Sequence, residues 1–278
     1  MATDNAKPAI GFIGLGLMGS RMATRLLDAG YPLAVYNREK ARTEPLAARG
    51  AQVAESPRDL AVHADVIMVS VTDDPAVEQV MLDPNGVLEG LRPGSIVIDL
   101  STISPQTSRH LATQAQARSA SMLDATVSGT IGPAERGQLT IMVGGDREAY
   151  ERSLSILKVL GKQVFYMGGS GTGATMKLVV NALLGVGMQA LAEAIALGQK
   201  AGLEKSTLLD ALGHMAVVAP AFTAKLENAR REEYEVAFPL AHMDKDFGLI
   251  EQMAQETVVP MPATAAAAQM STARRAQG

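Results

Sequence analysis

The sequence predicts an α/β protein in which a doubly wound, parallel-sheet domain precedes an all-α domain. Short β-branched apolar runs alternate with helical patterns as far as about residue 165. After the glycine-rich stretch 168–173 the pattern becomes one long helix, and no convincing strand follows it. We therefore predict a doubly wound sheet domain over residues 1–167 and a helical domain over residues 168–278.

The predicted strands are short and almost entirely apolar. Strands of this kind, joined by helices, form a parallel sheet covered on both faces, because crossover connections place the helices outside it. The strands are Ala9–Ile13, Leu33–Tyr36, Val66–Val69, Ile96–Ile98, Met122–Ala125, Leu139–Val143 and Val164–Tyr166. The helices between them are Met18–Ala29, Lys40–Arg49, Pro75–Leu82, Pro105–Arg118 and Arg147–Leu160.

A nearly unbroken helical pattern then runs from Ala174 to Lys200. At about 1.5 Å per residue this helix would be roughly 40 Å long, which suits an interdomain helix that bridges two domains or two subunits. Its apolar residues spread over more than one face, and such a helix must be buried on nearly all sides. We therefore expect a homo-oligomer, a homodimer or a homotetramer, in which a second copy covers the helix.

The composition argues against several classes of function. The net charge of −4 comes from interspersed charges with no basic run, so no nucleic acid partner is expected. The chain has no cysteine, and its 4 histidines lie at no ligand spacing, so no metal site is expected. No secretory signal is visible, since glycines break the apolar run that starts at Ile10. We expect a cytoplasmic protein with no membrane partner.

A glycine fingerprint follows the first predicted strand. Gly14, Gly16 and Gly19 have the G-x-G-x-x-G spacing, and the helix that they open ends at Gly30. This context is that of the first βαβ unit of a Rossmann domain, whose glycine loop and helix N-terminus hold a pyrophosphate. The residues assigned to the cofactor here are Gly14, Leu15, Gly16, Leu17, Met18 and Gly19.

The end of the second predicted strand bears on which dinucleotide is bound. A site for NAD usually has an acidic residue there to hold the ribose hydroxyls, but this chain has Asn37 and Arg38. Both offer donors to a 2′-phosphate, and a guanidinium matches phosphate geometry. The sequence therefore favours NADP(H) over NAD(H). Glu39 follows directly and is the alternative ribose ligand.

A polar loop is expected after the strand that ends at Ala125. Ser128, Gly129 and Thr130 offer two hydroxyls and bare backbone amides there. Such a loop can bind a carboxylate through several N–H and O–H donors without a cation. Ligands of open α/β sheets bind at the carboxyl ends of the strands, so we assign these residues to a substrate.

The segment Gly168–Asn181 contains the residues assigned to the chemistry. Lys177 and Asn181 are four positions apart and share one face of the predicted long helix. An ammonium beside an amide can bind a forming alkoxide and give it a proton. An ordinary lysine is protonated at neutral pH, which favours the direction of reduction.

Together these motifs resemble the β-hydroxyacid dehydrogenase family, which includes 3-hydroxyisobutyrate dehydrogenase, tartronate semialdehyde reductase and the glyoxylate/succinic semialdehyde reductases. The similarity runs from Ile10 to the C-terminus through GLGLMGSRMATRL, DATVSGTIGPAERGQLTIMVGG, GGSGTGATMKLVVN and MDKDFGL. It implies that Lys177 is the catalytic residue and that Ser128 and Asn181 contact the substrate. The other implied contacts are Val71, Thr102 and Lys245 with the cofactor, and Phe238 and Asp246 in the substrate cleft.

The chain departs from the family pattern at a few positions. Thr126 stands where the family often has proline, and Thr130 where it often has a second glycine. The segment from Ser128 and the ending AFPLAHMDKD are most similar to the semialdehyde-reducing branch. In that branch we would expect lysines at Ile131 and Gly132, so the part of the site that reads the far end of the substrate differs here.

The resemblance implies NADPH-dependent reduction of a small carboxylated aldehyde, such as glyoxylate or succinic semialdehyde, to the hydroxy acid. A 3-hydroxyisobutyrate or tartronate semialdehyde type of dehydrogenase is the alternative. An imine reductase has aspartate or tyrosine at the position of Lys177, which argues against that activity. A noncatalytic NADP-binding protein is disfavoured by the intact Lys177 and Asn181. A decarboxylating phosphogluconate enzyme requires a longer helical domain.

Overall fold

One eight-stranded sheet organises the first part of the chain. The computed structural model describes residues 7–234 and 238–276. It divides into two compact units, Met1–Leu178 and Val179–Gly278. The strands are β1 (Ile10–Ile13), β2 (Leu33–Tyr36), β3 (Gln52–Val53), β4 (Val66–Val69), β5 (Ile96–Asp99), β6 (Ser121–Ser128), β7 (Leu139–Gly145) and β8 (Gly161–Gly168).

Helices flank these strands and continue through the second unit. They are α1 (Leu17–Asp28), α2 (Glu44–Ala47), α3 (Pro57–His63), α4 (Asp74–Leu82), α5 (Pro105–Gln116), α6 (Ile131–Glu135), α7 (Arg147–Leu160), α8 (Thr172–Lys200), α9 (Lys205–His214), α10 (Pro220–Arg231), α11 (Leu240–Thr257) and α12 (Pro262–Arg275). The described residues beyond α8 contain no strand. The predicted fold class, a doubly wound domain followed by helices, is confirmed.

The strand order of the sheet is β3-β2-β1-β4-β5-β6-β7-β8. The first strand lies in the middle, where Ile13 pairs with Tyr36 of β2 on one side and Val69 of β4 on the other. Strands β2 and β3 thus lie on one side of β1 and strands β4 to β8 on the other. This reversal of strand order creates the switch point at which ligands of this fold bind. Buried apolar side chains pack on both faces of the sheet, as the apolar strands predicted.

Three local expectations were wrong. The pair β6 and β7 is antiparallel, whereas the sheet was expected to be parallel throughout. The sixth strand continues to Ser128, which pairs with Thr140, instead of ending at Ala125. The helix expected over Lys40–Arg49 is a 3₁₀ turn, Lys40–Thr43, followed by the short α2. Pro45 explains the break, because proline is tolerated in the first turn of a helix but not in its interior.

In the second unit, two glycines of α8 let aromatic side chains approach the helix. A Cβ atom on Gly185 would lie 2.4 Å from the Phe247 ring, and one on Gly187 would lie 2.6 Å from the Phe222 ring. Glycine inside a helix costs about 1 kcal/mol relative to alanine. The close packing against α10 and α11 offsets that cost, since both rings would otherwise have to move.

Candidate active site

The glycine fingerprint lies at the carboxyl end of β1, and each of its glycines has a different reason to be glycine. Gly14 has φ +93°, and a Cβ atom there would lie 2.1 Å from the Ser70 carbonyl oxygen. A Cβ atom on Gly19 would lie 2.0 Å from the Gly14 carbonyl oxygen, so it permits close packing of α1 on the loop. Gly16 has no atom within 4 Å of the place of a Cβ. Its missing side chain leaves space for a ligand.

The start of α1 suits an anion. Gly16 is the N-cap residue, it provides no side-chain cap, and the first turn contains no acidic residue. The first N–H groups of a helix have no partner inside the helix, and they lie at the positive end of its dipole. These groups and the space beside Gly16 fit the pyrophosphate of a dinucleotide.

The end of β2 differs in part from what the sequence predicted. The Asn37 side chain accepts a hydrogen bond from the Leu15 backbone N–H (2.9 Å) and donates one to the Glu39 carbonyl (2.9 Å). The Asn37 side chain therefore holds the glycine loop against the end of β2. One N–H of its amide is left for a ligand. The Glu39 carboxylate pairs with Arg42 at 2.6 Å. Arg38 is exposed, and no ion pair joins it to another residue that the structure describes.

A buried carboxylate that the sequence analysis did not select lies behind Val71 and Thr102. The Val71 N–H donates to the Ser101 hydroxyl, and the Ser101 N–H donates to an oxygen of Asp99, each at 3.0 Å. Asp99 is only 1% exposed, and its other oxygen accepts no hydrogen bond from the described residues. Burial raises its pKa to about 6, although the bonds from Ser101 lower it. Thr102 is half-buried beside this network.

A second carboxylate, Asp124 in the middle of β6, ties the strand to the start of α8. Its two oxygens accept hydrogen bonds from the backbone N–H groups of Gly171 (2.9 Å) and Ala174 (2.8 Å). Two residues along the strand, the Thr126 hydroxyl donates to the Gly173 carbonyl at 2.9 Å. Burial raises the pKa of Asp124, and the bonds from the helix lower it. An acidic residue among the apolar residues of the predicted strand Met122–Ala125 was the sequence signal that this carboxylate has a partner, although it did not say which one.

The predicted substrate loop begins where β6 ends. Ser128 is half-buried, whereas Gly129 and Thr130 are exposed. Gly129 has φ +135°, a conformation that side chains rarely adopt. Thr130 is the N-cap residue of α6 and makes no side-chain cap bond. The three residues therefore present hydroxyls and backbone at the carboxyl end of the strand.

Lys177 and Asn181 lie one turn apart on α8, Lys177 in the first compact unit and Asn181 in the second. Lys177 is half-buried. Asn181 is 1% exposed, and its amide donates to Asp246 at 2.6 Å. Its carbonyl oxygen accepts no bond from the described residues. A ligand group could supply the missing donor, because buried polar atoms are nearly always paired.

The other residues assigned to the substrate and cofactor lie on or beside α11. Lys245 Nζ is 2.9 Å from the second carboxylate oxygen of Asp246, a distance that makes an ion pair without the alignment of a hydrogen bond. Asp246 thus joins the buried Asn181 and the half-buried Lys245 in one polar cluster. Phe238 is 44% exposed, and its ring meets His242 edge-on at 5.8 Å. Among the described residues no cluster of acidic and histidine side chains could hold a metal.

Comparison with known proteins places this chain in a family. The model of the NAD binding domain of 6-phosphogluconate dehydrogenase matches residues 9–168. The model of the NAD-binding domain of NADP-dependent 3-hydroxyisobutyrate dehydrogenase matches residues 171–278. The fold and the glycine loop define an oxidoreductase that uses a nicotinamide dinucleotide.

Several characterised relatives are similar over nearly the whole chain. Glyoxylate/succinic semialdehyde reductase 1 of Arabidopsis thaliana is 38% identical over 93% of this chain and 89% of its own length. The NAD-dependent L-serine dehydrogenase of Pseudomonas aeruginosa is 39% identical over 91% and 87%. The crystal structure of 3-hydroxyisobutyrate dehydrogenase from Salmonella typhimurium has a TM-score of 0.89 at 30% identity, covering 98% and 95%. This chain belongs to the β-hydroxyacid dehydrogenase family, of the 3-hydroxyisobutyrate dehydrogenase type.

Proposed function

We propose that this enzyme reduces a small carboxylated aldehyde to the hydroxy acid with NADPH, and that Lys177 donates the proton. The observation that carries the proposal is the anchoring of α8 on β6. It links the helix that carries Lys177 to the strand that ends in the donor loop 128–130. A proton donor and a carboxylate site held on one scaffold suit an aldehyde that carries a carboxylate nearby.

The reaction requires two transfers to the aldehyde carbonyl. A bound reduced nicotinamide would supply the hydride for the carbonyl carbon. The Lys177 ammonium stabilises the negative charge that develops on the carbonyl oxygen and then gives that oxygen a proton. The alkoxide thereby becomes the alcohol, and the lysine takes a proton back from solvent before the next turnover. The proton donor acts on the oxygen only, so it is not needed for cofactor binding.

The substrate carboxylate is assigned to Ser128, Gly129 and Thr130, with Asn181 supporting the reacting end. Hydroxyl and backbone N–H donors can hold a carboxylate without a buried cation. Phe238 and Asp246 are assigned to the wall of the cleft. The Arabidopsis relative is named for glyoxylate and succinic semialdehyde, and these are our first candidate substrates. An L-serine or 3-hydroxyisobutyrate type of dehydrogenase is the alternative, in accord with the other relatives.

We propose NADP(H) as the preferred cofactor, held by the glycine loop, Val71, Thr102 and Lys245. The support is Arg38, which is exposed at the end of β2 where a 2′-phosphate would be bound. The pairing of Glu39 with Arg42 is a second support, since the carboxylate that could otherwise hold the ribose hydroxyls has a cationic partner. The Pseudomonas relative is NAD-dependent, so the cofactor has to be measured for this chain.

The test is NADPH oxidation with glyoxylate, succinic semialdehyde, tartronate semialdehyde and methylmalonate semialdehyde. We expect turnover with at least one of them, and we expect Lys177→Ala to lower kcat by about 10²–10⁴-fold with an unchanged Kd for NADPH. Lys177→Met is the matched variant of similar length without charge, and it should lose as much. A Lys177→Ala enzyme that kept more than about a tenth of wild-type kcat would exclude Lys177 from proton donation.

We further propose that the enzyme is a cytoplasmic homodimer or homotetramer built on α8. Leu183 and Leu197 on this helix are 74% and 72% exposed within one chain. By length and composition alone this helix could span a membrane, and little more than a quarter of its most apolar stretch is buried. A second copy of the chain is the cover we propose, because most oligomers of soluble proteins are symmetric assemblies of one chain. The domains are proposed as residues 1–167 and 168–278.

A further inference from the structure

Two side chains of β6 hold the first turn of α8 from outside the helix. Asp124 accepts from two N–H groups of that turn, and Thr126 donates to a carbonyl of the same turn. The partners are 47 to 50 positions apart in the chain. We call this set of contacts the β6 clamp. It fixes the helix start through three hydrogen bonds, which join two residues of the strand to three residues of the turn.

The carbonyl that Thr126 binds is linked directly to Lys177. In an α-helix the N–H of residue i donates to the carbonyl of residue i−4, so the Gly173 carbonyl is the acceptor for the Lys177 backbone. The Thr126 hydroxyl shares this acceptor at 2.9 Å. Two residues further along β6 lies Ser128, the first residue of the donor loop. The clamp therefore sets the separation between the backbone of Lys177 and the loop.

The close approach of strand and helix depends on missing side chains. A Cβ atom on Gly144 would lie 2.8 Å from both Asp124 carboxylate oxygens, and one on Gly173 would lie 2.2 Å from the Asp124 carbonyl oxygen. Neither glycine has positive φ, so space alone requires glycine at both positions. The contact between strand and helix therefore depends on two polar side chains of β6 and on two glycines, one in β7 and one in α8.

Stability alone gives a poor reason for a carboxylate at this place. Asp124 is 1% exposed, and burial raises its pKa, which means that the ionised form has lost solvation. A neutral asparagine or serine could cap a helix start without this cost. What the carboxylate adds is a bidentate, charge-assisted contact with a narrow geometry.

We propose that Asp124 and Thr126 are positioning residues for the proton donor, which hold Lys177 at a fixed place relative to the donor loop. The proposal rests on the proposed function, because it presupposes that Lys177 gives the proton. Displacement of a reacting group by about 1 Å can cost about 100-fold in rate. The bonds of the clamp involve none of the cofactor glycines, so its effect is expected in kcat.

The first experiment compares Asp124→Asn and Thr126→Val with the wild type at saturating NADPH. Asparagine keeps the shape but turns one acceptor into a donor that faces an N–H, and valine removes only the hydroxyl. We expect kcat to fall by about 10- to 100-fold for Asp124→Asn and about 3- to 10-fold for Thr126→Val. The KM for NADPH should stay within about two-fold in both. Thr43→Val is the matched control, because Thr43 is also buried and also donates to a carbonyl (2.7 Å), far along the chain from Lys177.

The second experiment asks whether Asp124 acts through Lys177. In the Lys177→Ala background, Asp124→Asn should lower the residual kcat by less than about two-fold, since a misplaced donor no longer matters. Losses that multiply in full would overturn the proposal, as would a parallel loss of NADPH affinity. If Asp124→Asn does not fold, Thr126→Val is compared in the same way, alone and in the Lys177→Ala background, and its result decides. An active Lys177→Ala would remove the proposed function, whereas an inactive Lys177→Ala with a fully active, folded Asp124→Asn would overturn the clamp alone.

Discussion

The buried carboxylate of Asp99 predicts a specific dependence of stability on pH. Its pKa is raised from 3.8 to about 6, chiefly by burial, so the folded state binds this proton more tightly than the unfolded state does. An acid with a raised pKa favours the folded state while it is protonated. That advantage is lost as the pH rises from about 4 to about 6. The change in pKa from 3.8 to about 6 means that, above pH 7, the wild type has lost about 3 kcal/mol of folding free energy relative to its value at low pH.

The perturbation is Asp99→Asn, which cannot ionise. Asparagine keeps an oxygen for the Ser101 N–H, but its NH₂ group takes the place of an oxygen that has no partner among the described residues. An unsatisfied donor costs about 1–3 kcal/mol at every pH. The net stability at one pH is therefore not diagnostic. The diagnostic quantity is the change with pH of the difference between variant and wild type.

The assay is urea unfolding of both proteins between pH 4.5 and pH 8. Over this interval the stability of Asp99→Asn relative to wild type should rise by about 2 kcal/mol, since part of the effect already lies below pH 4.5. Asp83→Asn, which removes an exposed carboxylate, serves as the control. A difference that stays constant within about 0.5 kcal/mol would refute the reasoning, because it would mean that Asp99 has the same pKa in both states.

Three further predictions concern the cofactor and the assembly. Arg38→Ala should raise the KM for NADPH at least about 10-fold and leave that for NADH nearly unchanged, as initial rates with both cofactors would measure; equal losses would assign Arg38 another role. Gly16→Ala should keep the wild-type Tm, because its Cβ enters open space, and should weaken cofactor binding, because that space is assigned to the cofactor. Gly14→Ala should instead lower the Tm, because Gly14 has φ +93° and its Cβ would collide with the Ser70 carbonyl oxygen. A Gly16→Ala enzyme with normal cofactor affinity would contradict the assignment of that space. Light scattering should give a multiple of 29.1 kDa, shifted toward the monomer by Leu183→Glu; a wild-type mass near 29.1 kDa would exclude the oligomer.

Much of the fold could be predicted because the strands and helices of the sheet domain follow simple patterns. The helix Arg147–Leu160 has the predicted bounds, and Asp146 caps it by accepting from the Ala149 N–H. The strand β3 was not predicted, because a strand of two residues, Gln52–Val53, has no period to detect. The extension of β6 was missed for a different reason. Its last residues pair with an antiparallel neighbour, and a parallel arrangement had been assumed.

The candidate site was predictable where one motif carries its own geometry. The glycine loop has such a geometry, since Gly14 and Gly19 leave no space for a Cβ atom and Gly16 lies beside open space. The Asp124 contact could not be predicted, because it joins residues 47 and 50 positions apart. Asn37 shows the same limit. Its residue type suggested a phosphate donor, whereas the structure uses its side chain mainly to hold Leu15 and the Glu39 carbonyl.

The compact units divide the chain at Leu178, one residue after Lys177. Lys177 thus belongs to the same compact unit as the sheet, although most of its helix belongs to the other unit. A gene fusion at this junction would exchange Asn181, Asp246 and their neighbours and would leave the dinucleotide loop, the donor loop and the lysine intact. Such a junction would keep the glycine loop and the residues to which we assign proton donation and carboxylate binding in one unit, so the other unit could be exchanged without altering them.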